Sequence, residues 1–388
     1  MTAYLQMGHD TENLVAETDL EEFRGVVLSP VNRDSETLAQ NVKAFRNKGN
    51  FDIVFDPQLY IPTSDRGCLP QQPYFPSDLD TADLSSDTWW SDIVAKLASC
   101  VSILGVDAVA SPVVLPRAWN DDYFARCADT SRKLGYALGE FQIRPLTTVM
   151  VNFNEIGEKD AALRIASLVS DVDSAGYYLV VVSDFEPRRE LIGEDQLAGV
   201  MRLICELEKT DRPVLVSHCS SDMLLFKAAG ASHCATGKFF NLRRFTKSRY
   251  EEPAGGGGQL GYWFEHSLLA FLREADIRRL MGNGFEYLVN TSASNNHWSH
   301  EILEHFTNEA EKAWVKLGWR QYLSWFGKTE LAISTTDPIH LVKDWLKVAE
   351  DNWLTLQDAE IFMDEPRNDG GWIRSWRQAF TKFRKDAT

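Results

Sequence analysis

Two aspartates and a histidine in this chain stand directly behind short apolar runs, and their types suit proton transfer. Asp56 follows FDIVF, Asp184 follows YYLVVVS and His218 follows RPVLVS. A pair of carboxyl groups can divide general acid and base work or hold a divalent ion, and an imidazole moves protons near neutral pH. Asp56, Asp184 and His218 are therefore the candidate catalytic residues. Amides occupy the same kind of place at Asn32, Asn152 and Asn154, with Gln58 close by, and these four are candidates for holding a substrate. Hydroxyls at Ser29, Ser111, Ser183 and Ser217 add donors and acceptors. Each such residue also has a plainer use, since a polar side chain at a strand end bonds the neighbouring loop backbone. No G-x-S-x-G elbow, H-E-x-x-H helix or dense carboxylate motif is present, so acyl transfer and zinc proteolysis lose support, no metal ligands are assigned and no cofactor is named.

The elements that must position these residues are legible as a rhythm. Six apolar runs, GVVLSPVN, FDIVFDPQ, VDAVASP, PLTTVMVNFN, YYLVVVSDF and RPVLVSHCSSD, recur over the first 240 residues. Each is long enough for a strand, too short for a helix and apolar on both faces, as parallel strands covered on both sides require. Amphipathic stretches at 35–47, 89–104, 120–138, 158–173 and 194–208 separate them. A seventh strand reads at 231–236, reached through a helix at 222–229. Polar residues return at every strand end, which favours a (β/α)8 barrel over an open sheet with one switch point. The eighth strand is the least marked, and 286–290 in GFEYLVNT is its best candidate. The expected division is a barrel over 1–298 and a helical extension over 299–388.

Two connections depart from the short-loop pattern. Residues 57–88 form a long, proline-punctuated loop after the second strand, expected to fold over the barrel mouth with Tyr60, Asp65 and Arg66 as further polar candidates. Residues 237–262 carry Lys238, Arg243, Arg244, Lys247 and Arg249, then glycines at 255–258. Barrels commonly hold a phosphate after their last strands, where backbone N–H groups converge. Lys238, Arg243 and Arg244 are accordingly expected to bind an anion, with pairing to acidic neighbours such as Glu251 and Glu252 as the structural alternative. The spacing of GASHCATGKF is not that of a Walker A loop.

Composition limits the partners. The 388 residues carry 56 acidic and 40 basic side chains, a formal net charge of −16, which opposes adhesion to polyanions over the whole surface. The six cysteines form no C-x-x-C pair and read as reduced thiols. The N-terminus lacks a basic start with an apolar h-region and no run reaches membrane-spanning length, so a cytoplasmic protein that does not enter membranes is expected. Eight of the twelve tryptophans lie at or beyond 298, in a part that reads as helices at 299–317, 319–326 and 339–352. So many leave room for a protein partner or a second copy at this extension. His297, His300 and His305 lack the spacing of a metal site.

RPVLVSHCSSDMLLFKAAGASHCATGKFFNLRRF resembles the late strand, helix, strand and basic loop of tRNA-guanine transglycosylases, and FDPQLY resembles the end of that family's second strand, which would make Asp56 its aspartate there. The resemblance implies a (β/α)8 enzyme of nucleic acid. The family's nucleophilic aspartate would fall at about Ala235, and its zinc cysteines have no counterpart after 234. Two functions remain: a barrel enzyme, of transferase or hydrolase type, acting on a phosphate-bearing ligand such as a nucleotide or nucleic-acid component, or a barrel scaffold that docks a protein through 299–388.

Overall fold

The computed structural model describes residues 3–16, 22–158, 160–250, 260–307, 314–365 and 367–387. Eight parallel strands close into a barrel in chain order: β1 (Ala3–Gln6), β2 (Phe23–Leu28), β3 (Asp52–Phe55), β4 (Ala108–Ala110), β5 (Arg144–Asn152), β6 (Gly176–Val182), β7 (Val214–Val216) and β8 (His233–Thr236). The helices between them are α1 (Glu12–Ala16), α2 (Ser35–Lys48), α3 (Asp87–Leu104), α4 (Asp121–Ala137), α5 (Ala161–Ser170), α6 (Glu194–Glu208) and α7 (Met223–Ala228). Side chains alternate across the wall. Val26, Leu28, Ile53, Phe55, Leu179 and Val181 pack outward in one core with the helices, while Val27, Val54, Ala108, Met150, Tyr178 and Ala235 belong to the core inside the barrel.

The strand expected at 286–290 is not one. Glu286–Leu288 is a 3-10 turn outside the barrel, and the missing strand is β1 at the chain's start, which pairs in parallel with both β2 and β8. Closure comes from register: Tyr4 is opposite Gly25 on one side and Ala235 on the other. All seven strand segments read from the sequence are therefore β2 to β8, one place later in the order.

The rest of the chain clads this barrel. An antiparallel hairpin, β9 (Trp263–Glu265) with β10 (Ala270–Leu272), leads to α8 (Glu274–Gly282), α9 (His297–Thr307), α10 (Val315–Ser334), α11 (Pro338–Asp358) and α12 (Gly371–Ala387). α10 packs on α7, β1 and β8, the place of an eighth barrel helix. There Glu330, fully buried, lies 3.5 Å from the buried Lys227 ammonium and accepts from the Cys234 backbone N–H. α12 lies along α6, and the Trp376 indole N–H donates to the Leu191 carbonyl at 2.9 Å. Trp314, Trp325, Trp353, Trp372 and Trp376 are buried within the chain, and Trp298, Trp319 and Trp345 are half-buried. No described helix is long and apolar enough to cross a membrane.

Candidate functional site at the barrel mouth

Because all eight strands are parallel, the residues behind β2, β3, β5, β6 and β7 lie at one end of the barrel, and Asn32, Asp56, Asn152, Asp184 and His218 share that face. They do not share an environment. Asp56 is buried, 1% exposed, at the centre of a hydrogen-bonded network. Its Oδ1 accepts from the Gln58 backbone N–H at 3.0 Å and the Tyr60 hydroxyl at 2.9 Å, and its Oδ2 from the Tyr178 hydroxyl at 3.1 Å. Burial pushes the carboxyl up to about 6 against these hydrogen bonds and the nearby Arg249 charge, which pull it down. Tyr60 and Tyr178 are held well above the usual phenol range by burial and by Asp56, so both remain donors.

The local backbone aims two of these groups. Gln58 and His218 adopt φ of +53° and +55°, a left-handed conformation that costs a non-glycine residue roughly 1–3 kcal/mol and persists where the surroundings hold it. Gln58 Oε1 accepts from Ser29 at 2.8 Å, and Arg249 reaches the same Ser29 hydroxyl at 3.2 Å. His218 Nδ1 lies 3.0 Å from the Ser217 hydroxyl, and burial, with Arg249 adding to it, keeps its ring neutral well below the usual histidine range.

Two connections roof this network. Within the long loop, Tyr60 turns into the mouth, and the Ser64 hydroxyl donates to the Tyr250 carbonyl at 2.7 Å. Gly67 allows the loop to cross β2's exit: its φ is +54°, and a Cβ there would lie 2.1 Å from the Val31 carbonyl oxygen. From the other side, Phe245 forms a parallel bridge with Val182, and its ring meets Tyr60 at 5.0 Å and His218 at 5.6 Å. Beneath this roof several buried polar atoms lack partners among the described residues: both amide atoms of Gln6, Ser183 Oγ, His218 Nε2 and the Tyr250 hydroxyl. Unpartnered atoms grouped at one barrel end make this mouth the candidate site for a polar guest.

The remaining candidates lie outside this buried network. Asp184 is exposed, apart from the Asp56 network, and Asn154 is exposed too, its N–H donating to Asn152 Oδ1 at 2.8 Å. Asn32 and Asn152 are half-buried. Arg244 is buried between two carboxylates, 2.7 Å from Asp222 and 3.3 Å from Glu190. Burial pushes Glu190 up to about 7, with Asp222 adding to it and Arg244 opposing. Arg243 donates to the carbonyls of Gly237 and Lys238 and lies 3.7 Å over the Tyr322 ring, and burial brings it down to about 10. Glu251, Glu252 and the glycines at 255–258 lie outside the described residues.

Lys238 is different. Its ammonium stands 4.8 Å from the ring centres of both Phe239 and Trp319 and meets no carboxylate or carbonyl among the described residues. It lines a cleft of about 260 Å³ with Arg188, Arg243, Phe240, Tyr262 and Trp319. Tyr178, Arg249, Tyr250 and Gln6 join the candidate site without ending a strand segment read from the sequence: Tyr178 sits inside β6, and the other three reach the mouth only through closure and the folding back of the loop after β8.

Among the described residues no three His, Cys, Asp or Glu side chains converge as a metal site. Of the likeness to tRNA-guanine transglycosylases the structure carries the barrel: Ala235, at the place of the nucleophile, is a buried residue of the inner wall. No family model and no curated protein matches the chain. Among solved structures it is similar to thiamine phosphate pyrophosphorylase from Pyrococcus furiosus, at 12% identity over 61% of this chain and 85% of that one, with a TM-score of 0.32. A type I 3-dehydroquinate dehydratase from Clostridium difficile follows at 9% identity, 61% and 84% coverage and a TM-score of 0.35. The tryptophan synthase a2b2 complex from Pyrococcus furiosus is alike at 15% identity, 64% and 95% coverage and a TM-score of 0.34. Likeness at this level says nothing of ligand or reaction, so the fold rests on the strand order itself: eight parallel strands, closed, with helices around them.

Proposed function

We propose that the chain is a barrel enzyme that transfers a proton at the mouth, with Asp56 as the group that gives and takes it, acting on a phosphate-bearing ligand of the nucleotide class by transferase or hydrolase chemistry. The observation that carries this reading is the buried Asp56 carboxyl, pushed up to about 6 under two tyrosine hydroxyls and surrounded by polar atoms without partners. A carboxyl near the working pH exchanges its proton in both directions, which is what general acid and base catalysis needs. His218 supplies a neutral ring whose Nε2 is unoccupied, and Arg249 places a positive charge where negative charge would develop. Lys238, which meets no carboxylate among the described residues, is the cation left to meet a phosphate, and Asn32, Gln58, Asn152 and Asn154 are the amides available to orient a substrate. Phe245 and Tyr250 cover the mouth, so a ligand reaching Asp56 displaces them.

The scaffold alternative rests on the eight tryptophans at and beyond 298, and five of these, Trp314, Trp325, Trp353, Trp372 and Trp376, spend their surface inside the chain. The test is incubation of the purified protein with a panel of nucleotides and sugar phosphates, with products read by mass spectrometry. Turnover should follow an ionisation near 6, and Asp56→Asn should reduce it about 100-fold or more. Turnover indifferent to this substitution would remove Asp56 from the chemistry.

A further inference from the structure

The cleft beside β8 combines two kinds of surface that a simple phosphate does not need. Lys238 and Arg188 bring positive charge, Arg188 also pairing with Glu365 at 3.3 Å and donating to the Tyr262 hydroxyl at 3.1 Å. Around them stand rings: Phe239 meets Trp319 edge to face at 5.3 Å, and Phe240 meets Tyr262 in the same way at 5.1 Å. Trp319 is half-buried, leaving part of its indole in the cleft. The close approach of α10 to the backbone just before β9 is built in, because a Cβ on Gly318 would lie 2.5 Å from the Tyr262 carbonyl oxygen. Lys238 is 4% exposed as a residue, so its stem is fixed and its ammonium is presented without an acceptor among the described residues. Burial lowers the ammonium below the usual lysine range, with Asp10 and Glu12 opposing from a distance and Lys316 and Arg33 adding to it.

We infer that this cleft holds a nucleoside monophosphate, with the planar base against the Trp319 indole and the phosphate between Lys238 and Arg188. A volume of about 260 Å³ suits one base and one anionic group and is too small for a strand of nucleic acid. Every base offers a ring face, so stacking on an aromatic side chain tolerates base identity, and the nearby cations select for the phosphate. This assignment rests on the phosphate-ligand reading above and narrows it to nucleotides recognised at a named place.

Calorimetric titration of the full chain with AMP, CMP, adenosine and ribose 5-phosphate separates the parts. The monophosphates should bind tighter than either adenosine or ribose 5-phosphate by about tenfold. Trp319→Leu should weaken the nucleotides and adenosine about tenfold and leave ribose 5-phosphate unchanged, and Lys238→Met should do the reverse with respect to the two fragments. Trp319→Phe keeps a ring and should retain most of the affinity, which guards against loss through misfolding. Ribose 5-phosphate binding as tightly as AMP would overturn the stacking assignment while leaving the phosphate reading in place. Absence of any monophosphate binding, or equal loss in the Phe and Leu variants, overturns it as well. Binding in the cleft without turnover would uphold this inference and sink the enzyme reading instead.

Discussion

Asp56→Asn offers the sharpest test of the mouth, because its effect on stability is fixed in sign and size by burial. In the folded chain this carboxyl holds its proton up to about 6, against an ordinary value of 3.8. At about 1.4 kcal/mol for each tenfold change in proton affinity, the folded state favours the protonated form by about 3 kcal/mol. The folded protein therefore binds more protons than the unfolded chain between those values, and stability falls as pH rises. The contribution is fully present below about pH 4 and is gone above about pH 6. An asparagine cannot ionise, and its carbonyl oxygen still accepts from a tyrosine hydroxyl. Urea unfolding followed by circular dichroism from about pH 4 to 7.5 should show curves that converge or cross. Wild type should lose about 3 kcal/mol more than the variant over that span, and the variant should be nearly as stable as wild type, or more so, at neutral pH. Glu190, pushed up to about 7, titrates in the same direction, but it does so in both proteins and cancels in the difference. Parallel curves would refute the claim that Asp56 is an expensively buried, proton-holding group.

Arg244→Met should cost about 3–5 kcal/mol, measured by urea unfolding, because it leaves Asp222 and Glu190 buried without their shared cation. The loss should be larger at pH 8 than at pH 6, where protonation of Glu190 relieves the repulsion. Gly67→Ala should destabilise by about 2 kcal/mol or more, since it forces a side chain into a left-handed turn and against the Val31 carbonyl; an unchanged melting temperature would disprove that contact. Removal of residues 1–7 deletes β1 and leaves β2 and β8 with open edges, and should abolish cooperative unfolding in calorimetry.

The sequence by itself determined the barrel wall. Continuous apolar runs followed by small polar residues are a local signal, since a strand covered on both faces needs apolar side chains at every position. The parallel arrangement then puts the polar residues at one end, and Asp56 and His218 were identifiable on that basis. β1 was not, because Gln6 interrupts the short apolar stretch at Ala3–Gln6, and its identity as a strand lies in its register with β2 and β8. GFEYLVNT shows the converse: its apolar content suits a strand, but the barrel is already closed without it, and it turns instead. What each charged side chain meets was likewise decided only by tertiary structure. Arg243 and Arg244 stand side by side in a basic run, yet one is sheathed in rings and carbonyls and the other is clamped by two carboxylates. Asp56 and Asp184 both end strands, yet the loop that follows Asp56 and the one that follows β8 bury the first and leave the second in solvent. Charge and polarity are properties of single residues, but a proton affinity or an open anion site belongs to the groups that converge on it, and convergence is set by segments far apart in the chain.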